Sequence, residues 1–186
     1  MGADKSGLVV LGETLLTRLL RRIEAERHAC FVLGPATNVA AATCIEDALP
    51  HAGPLAALAG LESELGADIE RVFVAAVDMP LMDARVVEAF VAIAEARAPE
   101  RAPYVVLAHL AGHDQVLAAL WSKAALAEAP RLVASGERSV RALAAVVQVL
   151  RVDEAEFAEL GIAAEAFWNI NRPEDLERLR PRLDRS

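Results

Sequence analysis

Few residues in this sequence have the type and setting to do chemistry, and Asp78 is the first of them. It follows the apolar run of residues 72–77 in Val77-Asp78-Met79-Pro80. A run apolar without alternation reads as a strand covered on both faces, in the middle of a parallel sheet. In open parallel sheets ligands bind beyond the carboxyl ends of the strands. A carboxylate there is a hard oxygen ligand suited to Mg²⁺, which neutralises phosphate charge during transfer. The same aspartate could equally cap the turn that follows, and position alone leaves both readings open.

Other groups call for the same weighing. Lys5, in Asp4-Lys5, could reach a phosphate as a point charge or could simply be solvated. Gly53-Pro54-Leu55 combines a glycine that permits close approach with the free N–H groups of a helix start. That suits a base or phosphate edge, and it also suits an ordinary turn with proline in the first helical turn. Asp47, just upstream, is either an acceptor for a nucleobase or ribose or an exposed loop carboxylate. In Phe167-Trp168-Asn169-Ile170-Asn171, an extended chain would turn both amides to one side. Paired amides can read a heterocycle, while Asn171 followed by Pro173 also reads as a helix cap.

Other chemistries find no support. The histidines at 28, 51, 109 and 113 lack metal-ligand spacing, and the turn around Gly112 separates His109 from His113. Cys30 and Cys44 lack it too and read as buried thiols in a reducing compartment. No serine elbow, Cys–His nucleophile or complete G-x-x-x-x-G-K loop occurs. A net charge of −8 argues against a broad nucleic-acid surface. Neither a signal peptide nor a run of the ~20 apolar residues needed for a membrane span is found, so a cytoplasmic protein is expected.

The elements that must position these residues follow from periodicity. Of the 186 residues, 55% are hydrophobic and 25% charged, a globular composition that predicts a single domain. Leu15, Leu16, Leu19, Leu20 and Ile23 predict a helix over 13–27, with Arg18, Arg21, Arg22 and Glu24 on the opposite face. Strands are predicted over 29–33, 43–45, 71–77, 104–109, 115–121 and 148–152, and helices over 53–65, 83–98, 123–134, 139–146 and 173–180. The segment 152–167 is either a loop or a short helix. Alternating strands and helices predict an α/β layered fold with a mainly parallel sheet.

The motifs also occur in a telling order. Asp4-Lys5, the helix beginning Gly12-Glu13-Thr14-Leu15-Leu16-Thr17-Arg18, Asp47, Gly53-Pro54-Leu55 and Val77-Asp78-Met79-Pro80 come first. Gly136-Glu137-Arg138-Ser139-Val140-Arg141 and Asn169-Ile170-Asn171-Arg172-Pro173-Glu174-Asp175-Leu176 follow. In this order the sequence resembles the molybdenum cofactor guanylyltransferase family, from Met1 almost to its end. The last motif is the most specific. The resemblance implies a single nucleotidyltransferase-like domain over 1–186, with a three-layer, Rossmann-like (GT-A-like) fold and a mainly parallel sheet. It implies transfer of GMP from GTP to molybdenum-molybdopterin, with Mg²⁺ and release of pyrophosphate. Lys5 would contact the nucleotide phosphates, Asp47 and Gly53-Pro54-Leu55 would lie on the guanosine side, Asp78 would bind Mg²⁺, and Asn169 and Asn171 would meet the pterin. Molybdoenzymes or cofactor-biosynthesis proteins are the implied protein partners.

Several positions depart from that family. Its opening strand and glycine-rich run, ending Arg-Met-Gly, are represented here only by Met1-Gly2, so the first strand is expected to be missing. Each lost oxyanion donor is worth roughly 3 kcal/mol, so severely impaired catalysis is expected of the sequence as it stands, and an active guanylyltransferase is expected to begin upstream of Met1. Ala57, Val116 and Arg172 stand where the family has glycine, proline and threonine. Two alternatives remain: cytidylyl transfer to the same pterin, and a non-catalytic binding protein with this fold.

Overall fold

In the computed structural model, residues 7–34, 39, 42–45, 53–100 and 102–183 are described. The chain enters through a hairpin of β1 (Val9–Val10) and β2 (Glu13–Thr14). Thr14 then caps α1 (Leu15–Arg22), its hydroxyl accepting the Thr17 N–H at 3.1 Å. The leucines at 15, 16, 19 and 20 are buried, as their spacing requires. The helix ends earlier than predicted, because Glu24 adopts a left-handed conformation and residues Ala25–Arg27 form a single 3-10 turn.

β3 (Phe31–Leu33) and β4 (Thr43–Ile45) pair in parallel. Cys44 is exposed on β4, contrary to the buried thiol expected, because β4 is an outer strand that turns Thr43 and Cys44 to solvent. Cys30 is half-buried, and burial pushes its thiol pKa up. After α2 (Pro54–Glu62) come β5 (Arg71–Ala75) and α3 (Ala84–Arg97). Asp83 caps α3 by accepting the Arg85 N–H at 3.1 Å.

β6 (Tyr104–Leu110) and β7 (His113–Ser122) are joined by Ala111 and Gly112, both at positive φ. A two-residue turn with this twist closes an antiparallel hairpin, and Gly112 adopts it without a Cβ penalty. The predicted helix over 123–134 is two pieces, α4 (Lys123–Leu126) and α5 (Ala129–Ala134), because Pro130 has no N–H to continue the ladder. α6 (Val140–Ala144) and β8 (Gln148–Val152) follow. The uncertain stretch is helical: α7 (Glu154–Glu159) starts from a capping box of Asp153 and Glu156, and Ala164–Phe167 is a 3-10 turn. α8 (Pro173–Leu183) is last.

The four-stranded sheet runs β5-β7-β6-β8, with β7 antiparallel to both neighbours and β6 parallel to β8. Apolarity placed residues 71–77 in the middle of a sheet. Instead β5 lies at the edge of this one, half-buried along its length, and β6 is the buried centre. The pleat of β6 divides the core into two. Val106 and Ala108 face α1, α3 and α7, while Val105 and Leu107 face α2 and α4 to α6. The result is a three-layer α/β fold. No helix among the described residues is long and apolar enough to cross a membrane.

Phe90 of α3 is fully buried at the centre of the first core layer. Its ring centroid lies 5.2 Å from Phe73, 5.5 Å from Phe157 and 6.3 Å from Phe167. This cluster ties β5 and α3 to the segment leading into Asn169. Phe90→Ala is expected to lower stability by about 3–5 kcal/mol, measured as the shift in urea unfolding.

Candidate active site

Asp78 sits in the turn that leaves β5, where the Met79 N–H donates to the Ala76 carbonyl at 3.2 Å. Met79, Leu81 and Met82 are buried and anchor this turn from below. Asp78 itself is half-buried, with Oδ1 shielded from solvent.

The turn is held from above by two arginines one helical turn apart on α1. Arg18 donates from Nε to the Pro80 carbonyl at 3.4 Å, from Nη1 to Glu13 at 3.0 Å and from Nη2 to the Leu183 carbonyl at 2.9 Å. Arg22 donates from Nη2 to the Leu81 carbonyl at 3.0 Å and to Asp83 at 3.4 Å, and from Nε to the Met82 carbonyl at 3.1 Å. Three consecutive carbonyls after Asp78 are thus fixed by guanidiniums. Periodicity had put both arginines on the helix face away from the core; instead Arg18 is 2% exposed. Desolvation pulls the Arg22 pKa down, and Asp83 opposes it. Hydropathy registers an arginine only as polar, so the clamp had no signal beyond the i, i+4 spacing. Glu13, bonded to Arg21 and Arg18, is held below the ordinary carboxylate range.

On its other side the Asp78 carbonyl accepts the Ile170 N–H at 2.8 Å. This bond brings residues 169–171 against the Asp78 turn from a distant part of the chain. Phe167 and Ile170 are buried and pin the segment, and the Arg178 and Arg182 guanidiniums lie 4.6 and 5.2 Å from the Trp168 ring centroid. Asn169 is half-buried, and its Oδ1 is buried without a hydrogen-bond partner among the described residues. A buried carbonyl oxygen left so is costly and suits a ligand donor. Asn171 is exposed. Asp175, in the first turn of α8, accepts the N–H groups of Asn171 and Arg172 at its Oδ2, both at 2.9 Å, and so ties the segment before the helix to its start.

Gly53, with φ +91°, opens α2 against the segment that precedes α6. Leu55 N–H reaches the Arg138 carbonyl at 3.4 Å, and a Cβ on Gly53 would lie 3.0 Å from that oxygen. Both the conformation and the close approach therefore call for glycine. Gly53, Pro54 and Val77 line one cavity, so the α2 start and the approach to Asp78 share it. Lys5 and Asp47 lie outside the described residues. Among the described residues no three His, Cys, Asp or Glu side chains gather as a metal cluster. His109 instead contacts Asp114 at 2.6 Å, and Arg151 and His109 together hold the Asp114 carboxyl below its ordinary range.

Two outcomes test this arrangement. Arg18→Ala should cost about 3 kcal/mol in urea unfolding, because buried acceptors and Glu13 lose their donor. Arg18→Lys should recover only part of it, since one ammonium cannot reach the same spread of acceptors. The second concerns pH. The Asn171 and Arg172 N–H groups favour ionised Asp175 and hold its pKa below 3.8. Its contribution is therefore present above that value and is lost as pH falls through the depressed one. In NMR the two amides should titrate together below pH 3.8, and Asp175→Asn should abolish the transition.

Comparison with known proteins places the chain in a family. Residues 1–153 match the MobA-like NTP transferase domain. A probable molybdenum cofactor guanylyltransferase of Opitutus terrae (strain DSM 11246 / JCM 15787 / PB90-1) is 31% identical over 97% of this chain and 88% of that protein. Among solved structures, molybdopterin-guanine dinucleotide biosynthesis protein A from Archaeoglobus fulgidus superposes with a TM-score of 0.80 at 19% identity, covering 100% of this chain and 93% of its own. The 2-C-methyl-D-erythritol 4-phosphate cytidylyltransferase of Thermus thermophilus gives 0.70 at 20% identity, covering 98% and 94%. At these identities the two structures establish the fold. With its family match and relative spanning most of its length, the chain belongs to the MobA-like NTP transferase domain family and is a nucleotidyltransferase.

Proposed function

We propose that this protein transfers GMP from GTP to molybdenum-molybdopterin, forming the guanine dinucleotide cofactor. The observation that carries the reading is the Ile170 N–H bond to the Asp78 carbonyl. It joins a candidate metal carboxylate to the candidate pterin amides within one fixed piece of backbone. The Opitutus relative, named for molybdenum cofactor guanylyl transfer, supports the choice of substrates.

In this reading a phosphate oxygen of the pterin bonds to the α-phosphorus of GTP, and the bond to the β-phosphate oxygen breaks to release pyrophosphate. The attacking phosphate is already anionic and needs no strong base. Most of the catalysis then lies in positioning and charge neutralisation. Asp78 is a hard oxygen donor that suits Mg²⁺, which commonly takes one or two carboxylates and completes its shell with phosphate and water. Bound there, Mg²⁺ would offset charge on the phosphates. Asp78, held through its own carbonyl and the arginine clamp beyond it, keeps its carboxylate in place. Lys5 neutralises phosphate charge. Asp47 and Gly53-Pro54-Leu55 receive the guanosine side, and Asn169 and Asn171 the pterin.

The test is pyrophosphate release from GTP, Mg²⁺ and molybdenum-molybdopterin. Asp78→Asn should lower the rate roughly a hundredfold or more. An unchanged rate would overturn the metal role, and faster turnover with CTP would overturn the choice of base.

A further inference from the structure

One arginine stands beside the start of α2 without a counter-charge. Arg138 belongs to Gly136-Glu137-Arg138-Ser139-Val140-Arg141, which links α5 to α6. A Cβ built on Gly53 would lie 3.4 Å from the Arg138 Cβ, so this side chain leaves the backbone next to Gly53-Pro54-Leu55. Arg138 is exposed. Among the described residues its side chain makes no hydrogen bond and no ion pair, whereas Arg18, Arg21, Arg22, Arg85 and Arg97 each meet a carboxylate.

The backbone around Arg138 is fixed from both directions. Upstream, Gly136 at φ +93° donates its N–H to the Val133 carbonyl at 2.9 Å, and the Glu137 N–H reaches the Leu132 carbonyl at 3.0 Å. This glycine-based pair of bonds closes the end of α5. Downstream, the Ser139 hydroxyl accepts the Arg141 N–H at 3.2 Å and starts α6, and Val140 is buried in the same core layer as Leu55 and Leu58 of α2. Between them the Arg138 carbonyl accepts the Leu55 N–H at 3.4 Å. The root of the side chain is therefore set relative to α2, and only the guanidinium needs to be ordered by a ligand. Preorganisation of this kind lowers the cost of binding.

A guanidinium is a planar fork of N–H donors with no acceptor. Guanine presents N7 and O6 side by side, two acceptors that match the fork. On the corresponding edge adenine sets an amino donor beside N7, and cytosine offers an amino donor. A group that can only donate therefore favours guanine there and opposes the other two. Resting on the placement of the guanosine side at Gly53-Pro54-Leu55 given above, we infer that Arg138 reads the base, donating to guanine N7 and O6. Gly53 leaves the side chain room: any larger residue would meet the Arg138 carbonyl at 3.0 Å and crowd its Cβ. Arg138 thereby sets the choice of GTP over CTP and takes no part in breaking or forming bonds.

The test is nucleotide binding by isothermal titration calorimetry, with Mg²⁺ and without pterin. GTP, CTP and 7-deaza-GTP, in which a C–H replaces guanine N7, are titrated into the parent protein and into Arg138→Ala. GTP should bind Arg138→Ala about tenfold or more weakly than it binds the parent, and CTP should bind both alike. In the parent, 7-deaza-GTP should bind roughly tenfold more weakly than GTP, because a bond to a charged donor is lost. In Arg138→Ala the two should bind equally, since the missing atom has no partner left. Equal losses of GTP and CTP in the variant would overturn the inference, because they would place the guanidinium on ribose or phosphate. So would 7-deaza-GTP binding the parent as tightly as GTP does. The two readings fail differently. A parent that does not prefer GTP to CTP overturns the choice of GTP itself, and the role of Arg138 with it. A parent that prefers GTP, with the preference kept in Arg138→Ala, overturns the role of Arg138 alone.

Discussion

The surroundings of Asp78 depend on one buried cation. The Arg18 guanidinium joins Glu13 of the entering hairpin, the Pro80 carbonyl after Asp78 and the Leu183 carbonyl ending α8. These groups come from the beginning, middle and end of the described chain, and no apolar contact could orient all three. A buried charge without full partners would cost several kcal/mol. Arg18 therefore tolerates few arrangements of those segments, and that intolerance makes the geometry specific. Arg22 extends the same constraint along the next two carbonyls.

The hydrophobic layers bring the pieces close, and the polar contacts then set their register. Phe90, Phe157 and Phe167 draw the chain leading to Asn169 onto the same core layer as α3. Such packing is tolerant of direction. The bond from Ile170 to the Asp78 carbonyl and the bonds to the Asp175 carboxylate are directional, and they set how residues 169–171 lie against the turn. Asn169 ends with a buried oxygen beside a turn that carries a half-buried carboxylate.

Much of the local structure was legible in the sequence, and each miss has a cause. Asp83 and Ser139, where two of the predicted helices begin, do start helices because short polar side chains satisfy free N–H groups. Pro130 split a helix whose apolar pattern continued across it. Residues 72–77 read as a central strand because apolarity reports what a strand prefers to bury, and not which neighbour covers it; β5 instead borders an open cavity. Cys44 read as buried by its apolar neighbours, yet exposure depended on where β4 sits.

By itself the sequence determined which residues could do chemistry and which elements would carry them. Asp78 at a strand end, glycine before Pro54 and amides at 169 and 171 follow from residue type and local spacing, which act over a few bonds. Only the tertiary structure decided that Asp78 and Ile170 share a hydrogen bond, that Gly53 must pass beneath the Arg138 carbonyl, and that Arg18 and Arg22 turn inward. Those outcomes rest on which distant donor meets which acceptor. No periodicity encodes that choice, because it is made by the whole chain at once.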